Sequence, residues 1–252
     1  MLKLHNLVAM AFGLLFLAVL QTFSNPYPIF RFLLPAFLAF LVLVVWYNYK
    51  YLKKIEKYNF WIIIRPVLLI LSGFGIFLLL PSTGMRNLFL ISGVLLISFF
   101  ESFIGKFAEE LLINEILIIA FGAFVAILGA SFYIPPFAKP YLNVIYLIGI
   151  FSMTVLISRS FYEFTPVTKK TKLLASIILG LLCSEFLWVL SFLQFHYSVL
   201  AFLLFNLFYF CLILNYHYYF NTLNIKKIQF HLIILVISGG LALLATPWKI
   251  IQ

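Results

Sequence analysis

Aspartate is absent from this chain, and its acidic residues are seven glutamates: Glu56, Glu101, Glu109, Glu110, Glu115, Glu163 and Glu185. That absence excludes Asp-dependent prenyltransferases, D-x-D glycosyltransferases, CDP-alcohol transferases and intramembrane aspartyl proteases. The sequence has no G-x-S-x-G or G-x-S-G serine site, no Walker A loop and no T-V-G-Y-G filter. Only two cysteines occur, Cys183 and Cys211, and both sit in apolar runs, which argues against a disulfide framework. The four histidines, His5, His196, His217 and His231, form no H-E-x-x-H pattern and no zinc-ligand spacing with the cysteines. No metal-ligating set and no cofactor site is expected, and the chemistry needed for an enzyme is hard to find.

Charge is scarce as well. Charged residues make up 10% of the 252 residues, against a hydrophobic fraction of 65%. A soluble domain of this length could not bury so much apolar surface. A bilayer can, provided that every backbone polar group is satisfied internally, by helices or by a closed barrel. Barrel strands would alternate apolar and polar residues. This sequence instead has long continuous apolar runs, so the expected fold class is an all-α polytopic transmembrane helix bundle.

A span needs roughly 20 apolar residues. Nine segments qualify, at about 6–22, 29–47, 60–80, 87–104, 107–132, 141–157, 173–195, 198–219 and 228–246. Asn25-Pro26-Tyr27-Pro28, Pro81-Ser82-Thr83-Gly84 and Pro135-Pro136 mark breaks, because proline removes a donor and restricts its predecessor. Gly105-Lys106 separates the fourth and fifth segments. Gln194, His196 and Tyr197 alone interrupt the stretch 173–219, which is too long for one span and so requires a tight turn. The longest connection, about 158–172, is too short to fold as a domain. The first segment reads as an uncleaved helix, since Gln21-Thr22-Phe23 is a poor cleavage site.

The net charge of +10 suits a membrane orientation signal better than a nucleic-acid surface. With the N-terminus placed in the cytoplasm, the inner side holds Lys3, Lys50, Lys53, Lys54, Lys57, Lys106, Arg159, Lys169, Lys170, Lys172, Lys226 and Lys227. The outer side holds Arg31, Arg86, Lys139 and Lys249. This bias supports both the count and the orientation, with the bacterial cytoplasmic membrane as the expected location. The chain reads as a single transmembrane domain, 1–252. Ala11-Phe12-Gly13 with Phe23 and Pro26 recurs as Ala120-Phe121-Gly122 with Phe132 and Pro135. That suggests a weak four-plus-four repeat, about 1–106 and 107–220, with a last helix at 228–246.

Ionisable groups inside a bilayer are costly and are candidates for function by default. Arg65, just before Pro66, is the best single case. Its candidate partners are Glu101, Glu109, Glu110 and Glu115, all near the same leaflet. Two readings compete: an inward-opening ion or anion site, or an arginine that snorkels to the headgroups while the glutamates sit in interfacial water. Glu115 and Glu185 lie deeper, and Glu185, beside Cys183 and Trp188, has no charged partner at its depth. It is expected either as a proton-coupled carboxyl or as a neutral acid bonded to a neighbouring helix. Asn206 and Asn114 read as interhelical hydrogen-bond residues.

Glu109-Glu110, Phe192 to His196 (F-x-x-x-H) and His217 to Asn221 (H-x-x-x-N) resemble the signatures of CAAX-processing membrane proteases. The resemblance departs at position 114, where Asn stands in place of the expected Arg, and it puts His196 on the side opposite the glutamates. In overall composition the chain is similar to multi-pass membrane proteins of small-genome bacteria, which implies no activity. The functional expectations are a transporter or permease-like protein, an accessory membrane subunit, or an enzyme acting on lipid-linked substrate at the inner leaflet. The partners expected are the bilayer and other membrane proteins, not nucleic acid.

Overall fold

The computed structural model describes residues 2–24, 30–54, 59–80, 82–104, 109–130, 142–193 and 195–246. Over these residues the chain is all-α: α1 (Leu2–Ser24), α2 (Phe30–Lys54), α3 (Phe60–Leu79), α4 (Thr83–Phe103), α5 (Glu109–Gly129), α6 (Leu142–Tyr162), α7 (Lys169–Leu190), α8 (Tyr197–Tyr219) and α9 (Ile225–Ala245). Eight of them, α2 to α9, are long and apolar enough to cross a membrane, and the apolar stretch of α1, His5–Gln21, is shorter. The chain is thus a polytopic helical membrane protein. Large apolar side chains on its exterior agree with this, for example Val42, Leu88, Leu95 and Leu244 at 67%, 71%, 66% and 81% exposure.

Helix starts follow local capping. Asn59 accepts from the Trp61 amide at 2.9 Å, and Ser82 accepts from the Met85 amide at 3.2 Å. Thr168 and Asn224 cap α7 and α9 in the same way, through the amides of Thr171 and Lys227. Each side-chain oxygen satisfies an amide that the first turn leaves without a partner. At the other end, α8 stops in a Schellman turn. Thr222 N–H donates to the His217 carbonyl at 2.9 Å and Asn221 N–H to that of Tyr218 at 3.1 Å. Asn221 takes the left-handed conformation, φ 53°, that this turn demands and that Asn tolerates.

Two helices run further than hydropathy suggests. α2 continues past Tyr47 to Lys54, and α6 past Ile157 to Tyr162, which cuts the connection to α7 to residues 163–168. Polar residues in these last turns are satisfied within the helix or by the residue just after it. Ser158 and Ser160 donate back to the carbonyls of Thr154 and Ile157. Arg159 pairs with Glu163 at 2.6 Å, and Lys50 lies over the Trp46 ring at 4.0 Å. The breaks expected at 25–28, 105–106 and 135–136, and at Pro81 and Gln194, lie outside the described residues.

The chain divides into two compact units, Met1–Gly122 and Ala123–Gln252, with the boundary inside α5. In the first, α1 packs closely on α4. A Cβ on Gly13 would lie 2.2 Å from Ser98 Oγ and 2.7 Å from the Val94 carbonyl, so only glycine permits this approach. Phe16, 1% exposed, fits against Gly73 and Gly93. In the second unit α6 and α7 form the tightest pair, with Gly180 against Phe151 and Val155. The two cysteines there are free thiols. α9 rests on α8, and none of its span is buried.

Candidate functional site

Five helices of the first unit place polar side chains at one end, within about two turns of their termini. That end holds the start of α1, the end of α2, the start of α3, the end of α4 and the start of α5. Lys50, Lys53 and Lys54 close α2 on the same side. Arg65 lies five residues into α3, and Glu115 six residues into α5, so the two sit about 8–9 Å inside their helix ends. They meet there. Arg65 Nη1 donates to Glu115 Oε2 at 2.8 Å, with both side chains less than a tenth exposed. Arg65 therefore does not snorkel. It is spent on a buried ion pair, which offsets the desolvation of both charges. Pro66, the next residue, has no N–H to give the Ile62 carbonyl one turn back.

Glu101 is the third ionisable member. It lies two residues before the end of α4 and is 2% exposed. Asn48, fully buried on α2, donates from Nδ2 to Glu101 Oε1 at 3.1 Å. Glu101 forms no ion pair among the described residues, and its Oε2 and the Oδ1 of Asn48 make no hydrogen bond. Glu101 and Glu115 share the lining of a crevice with Pro66, Leu69, Ile97, Phe100 and Ile104, and this crevice is too narrow to admit a water molecule.

His5 ties α1 into the cluster. Its Nε2 lies 2.8 Å from the Glu101 carbonyl, and its Nδ1 lies 3.2 Å from the Tyr47 hydroxyl. A carbonyl can only accept, so Nε2 carries a proton and donates to the Glu101 carbonyl; Nδ1 shares a hydrogen bond with the Tyr47 hydroxyl, which can serve as donor or acceptor. Tyr51 stacks on the imidazole at 3.8 Å between centroids. His5 and Asn48 belong to no sequence motif. Their signal was position: reversing helix directions put both at the end that carries Glu101.

The other candidates separate from this cluster. Glu109 and Glu110 open α5, but their side chains lie outside the described residues. Asn114 is exposed. Asn206 ties α8 to α9, accepting from Ser238 Oγ at 2.8 Å. Glu185 faces out of α7. A cavity of about 130 Å³ in the second unit is walled by Asn143, Tyr146, Leu187, Trp188 and Ser191, among others.

The protease-like pattern dissolves into helix-end devices. His196 caps the start of α8, bonded to Ser198, while Asn221 is the left-handed residue that stops the same helix. His196 and His217 are 21 residues apart along α8, about 31 Å, and cannot share a metal or a substrate. Among the described residues no three His, Cys or Glu side chains are grouped to hold a metal ion. No protein-family model, curated protein or solved structure matches the chain.

Proposed function

We propose that the chain is a proton-coupled, transporter-like protein of the bacterial cytoplasmic membrane, with its site on the cytoplasmic side of the first unit. The supporting observation is a charge count inside a dry cluster: among the described residues, two carboxyl groups, Glu101 and Glu115, stand beside one guanidinium, Arg65, and Glu115 takes it. Arg65 and Glu115 neutralise each other, so an ionised Glu101 would leave a buried charge unopposed, at a cost of several kcal/mol. One more cation is needed, and the crevice has no room for a hydrated metal ion. A proton is the cation that fits. It converts Glu101 Oε2 from an acceptor without a donor into a donor. Proton relays in membrane transport use carboxyl groups placed in this manner.

The same crevice speaks against an enzyme working on lipid-linked substrate here, because a phosphate headgroup cannot reach between the two carboxyl groups. The N-terminus is assigned to the cytoplasm because twelve lysines and arginines then fall on the inner side against four on the outer.

The test is proton entry into vesicles. Purified protein is reconstituted with a pH-sensitive dye inside, and a potassium gradient with valinomycin sets the lumen negative. Wild-type vesicles should acidify several-fold faster than protein-free ones, and Glu101→Gln should return the rate to that baseline. Equal rates for wild-type and empty vesicles would show the cluster to be a structural polar core.

A further inference from the structure

α7 presents a carboxyl group on its exposed face. Its inner face, with Ser176, Leu179, Gly180, Cys183, Leu187 and Leu190, is buried. The opposite stripe is apolar and exposed: Ile178 at 48%, Leu181 at 49%, Leu182 at 44%, Trp188 and Val189 at 54%. Glu185 lies in the middle of that stripe and is itself exposed. Among the described residues it makes no hydrogen bond and no ion pair. Along α7 it is 16 residues from Lys169, about 24 Å, and 5 residues from Leu190, about 7.5 Å, after which a 3-10 turn runs on to Leu193. Both distances exceed the reach of a side chain, so neither helix end offers Glu185 an interface to escape to. A carboxyl at this depth on a lipid-facing stripe is costly unless something pairs with it.

Among the described residues, a second copy of this chain brings no free cation to that depth. Arg65 is bound to Glu115, Arg159 to Glu163, and the Lys172 ammonium to the Glu163 carbonyl. Arg86 donates to the Leu80 carbonyl at 3.0 Å, and the remaining described lysines lie at or near helix ends. The charge to be matched therefore points outside the chain.

We propose that this face of α7 docks a transmembrane helix of a different membrane protein, one that carries a Lys or Arg at the depth of Glu185. The apolar stripe supplies packing area and the ion pair sets register. In lipid, pairing replaces a costly exposed carboxyl by a satisfied one. The site is independent of the Glu101 cluster, which lies in the other unit.

The experiment uses the full chain in lipid nanodiscs with synthetic leucine-rich membrane helices as probes. One probe has a single lysine at the matching depth, and its control has leucine there. Each carries a thiol for crosslinking to Leu182→Cys or, as an off-face control, Leu232→Cys on α9. The lysine helix should bind saturably and crosslink at 182 but not at 232. Glu185→Gln should weaken binding at least tenfold, and the leucine helix should show only that weaker level. Equal binding of both probes, or no effect of Glu185→Gln, overturns the proposal. So does Glu185-dependent disulfide formation between two Leu182→Cys chains, which would make the occupant a second copy. A last arm needs no probe. Glu185→Leu should leave the isolated chain's thermal midpoint unchanged or higher, and a clear drop would mean that Glu185 supports the chain's own fold.

Discussion

The two units deal with polar groups in opposite ways. The first draws them inward: Arg65, Glu101, Glu115, Asn48 and His5 are all at most 7% exposed, and five different helices contribute to one cluster. The second buries cations too, Arg159 and Lys172 at 7%, but satisfies both locally on Glu163, just after α6; its other buried polar groups are Ser, Thr and Asn, as at Thr154, Ser176 and Asn206. Its ion pair, Arg159 with Glu163, lies at the end of α6, and its deepest charge, Glu185, faces outward. A hydroxyl or amide can satisfy itself on its own helix, as Ser176 does on the Lys172 carbonyl at 2.8 Å. A carboxylate cannot, and needs a partner from elsewhere. Buried charge thus marks where helices are committed to one another, and outward charge marks where a commitment is still open.

The sharpest way to break this contrast is to strand a charge in the first unit. Glu115→Ala leaves Arg65 buried without its partner and should cost about 3–5 kcal/mol, whereas replacing both by Met should restore most of the loss. Glu163→Gln, just after α6, keeps a neutral acceptor for the buried Arg159 and should cost less, about 1–2 kcal/mol. Unfolding midpoints in detergent, read as a double-mutant cycle, check all three. Next in size is packing. Gly13→Leu drives a side chain into Ser98 and Val94 and should cost about 1–3 kcal/mol, while Gly240→Leu, with nothing within 4 Å, should be neutral. The same midpoints decide it. Smallest is Asn206→Leu, which removes the Ser238 bond between α8 and α9 and should cost about 0.6 kcal/mol. A loss as large as that of Glu115→Ala would place the second unit's stability on one polar contact and erase the distinction.

Much of this architecture was legible in the sequence because hydropathy reports helix length directly. The turn before α8 was required by length alone, and the structure resumes helix at Tyr197. Arg65 stood out as a cation in an apolar run, and Glu115 as a deep carboxyl. Which carboxyl Arg65 takes was not legible, since four lay near one leaflet and the choice depends on how each helix is rotated. Rotation is fixed by contacts such as Gly13 against Ser98, which no single segment reveals. His5 and Asn48 were lost for a related reason, because a polar residue near a helix end looks interfacial until a neighbouring helix covers it. The ends of α2 and α6 were misplaced because hydropathy falls where charge begins, whereas the backbone stays helical as long as its polar side chains find partners.

The central claim is that Glu101 holds a proton inside the first unit. Infrared difference spectroscopy of the protein in lipid at pH 7, wild type against Glu101→Gln, reads it directly. The account predicts that the substitution removes a carboxylic-acid carbonyl stretch and leaves the carboxylate bands unchanged. Loss of a carboxylate band instead, with no acid band lost, would show that Glu101 is ionised and would contradict it.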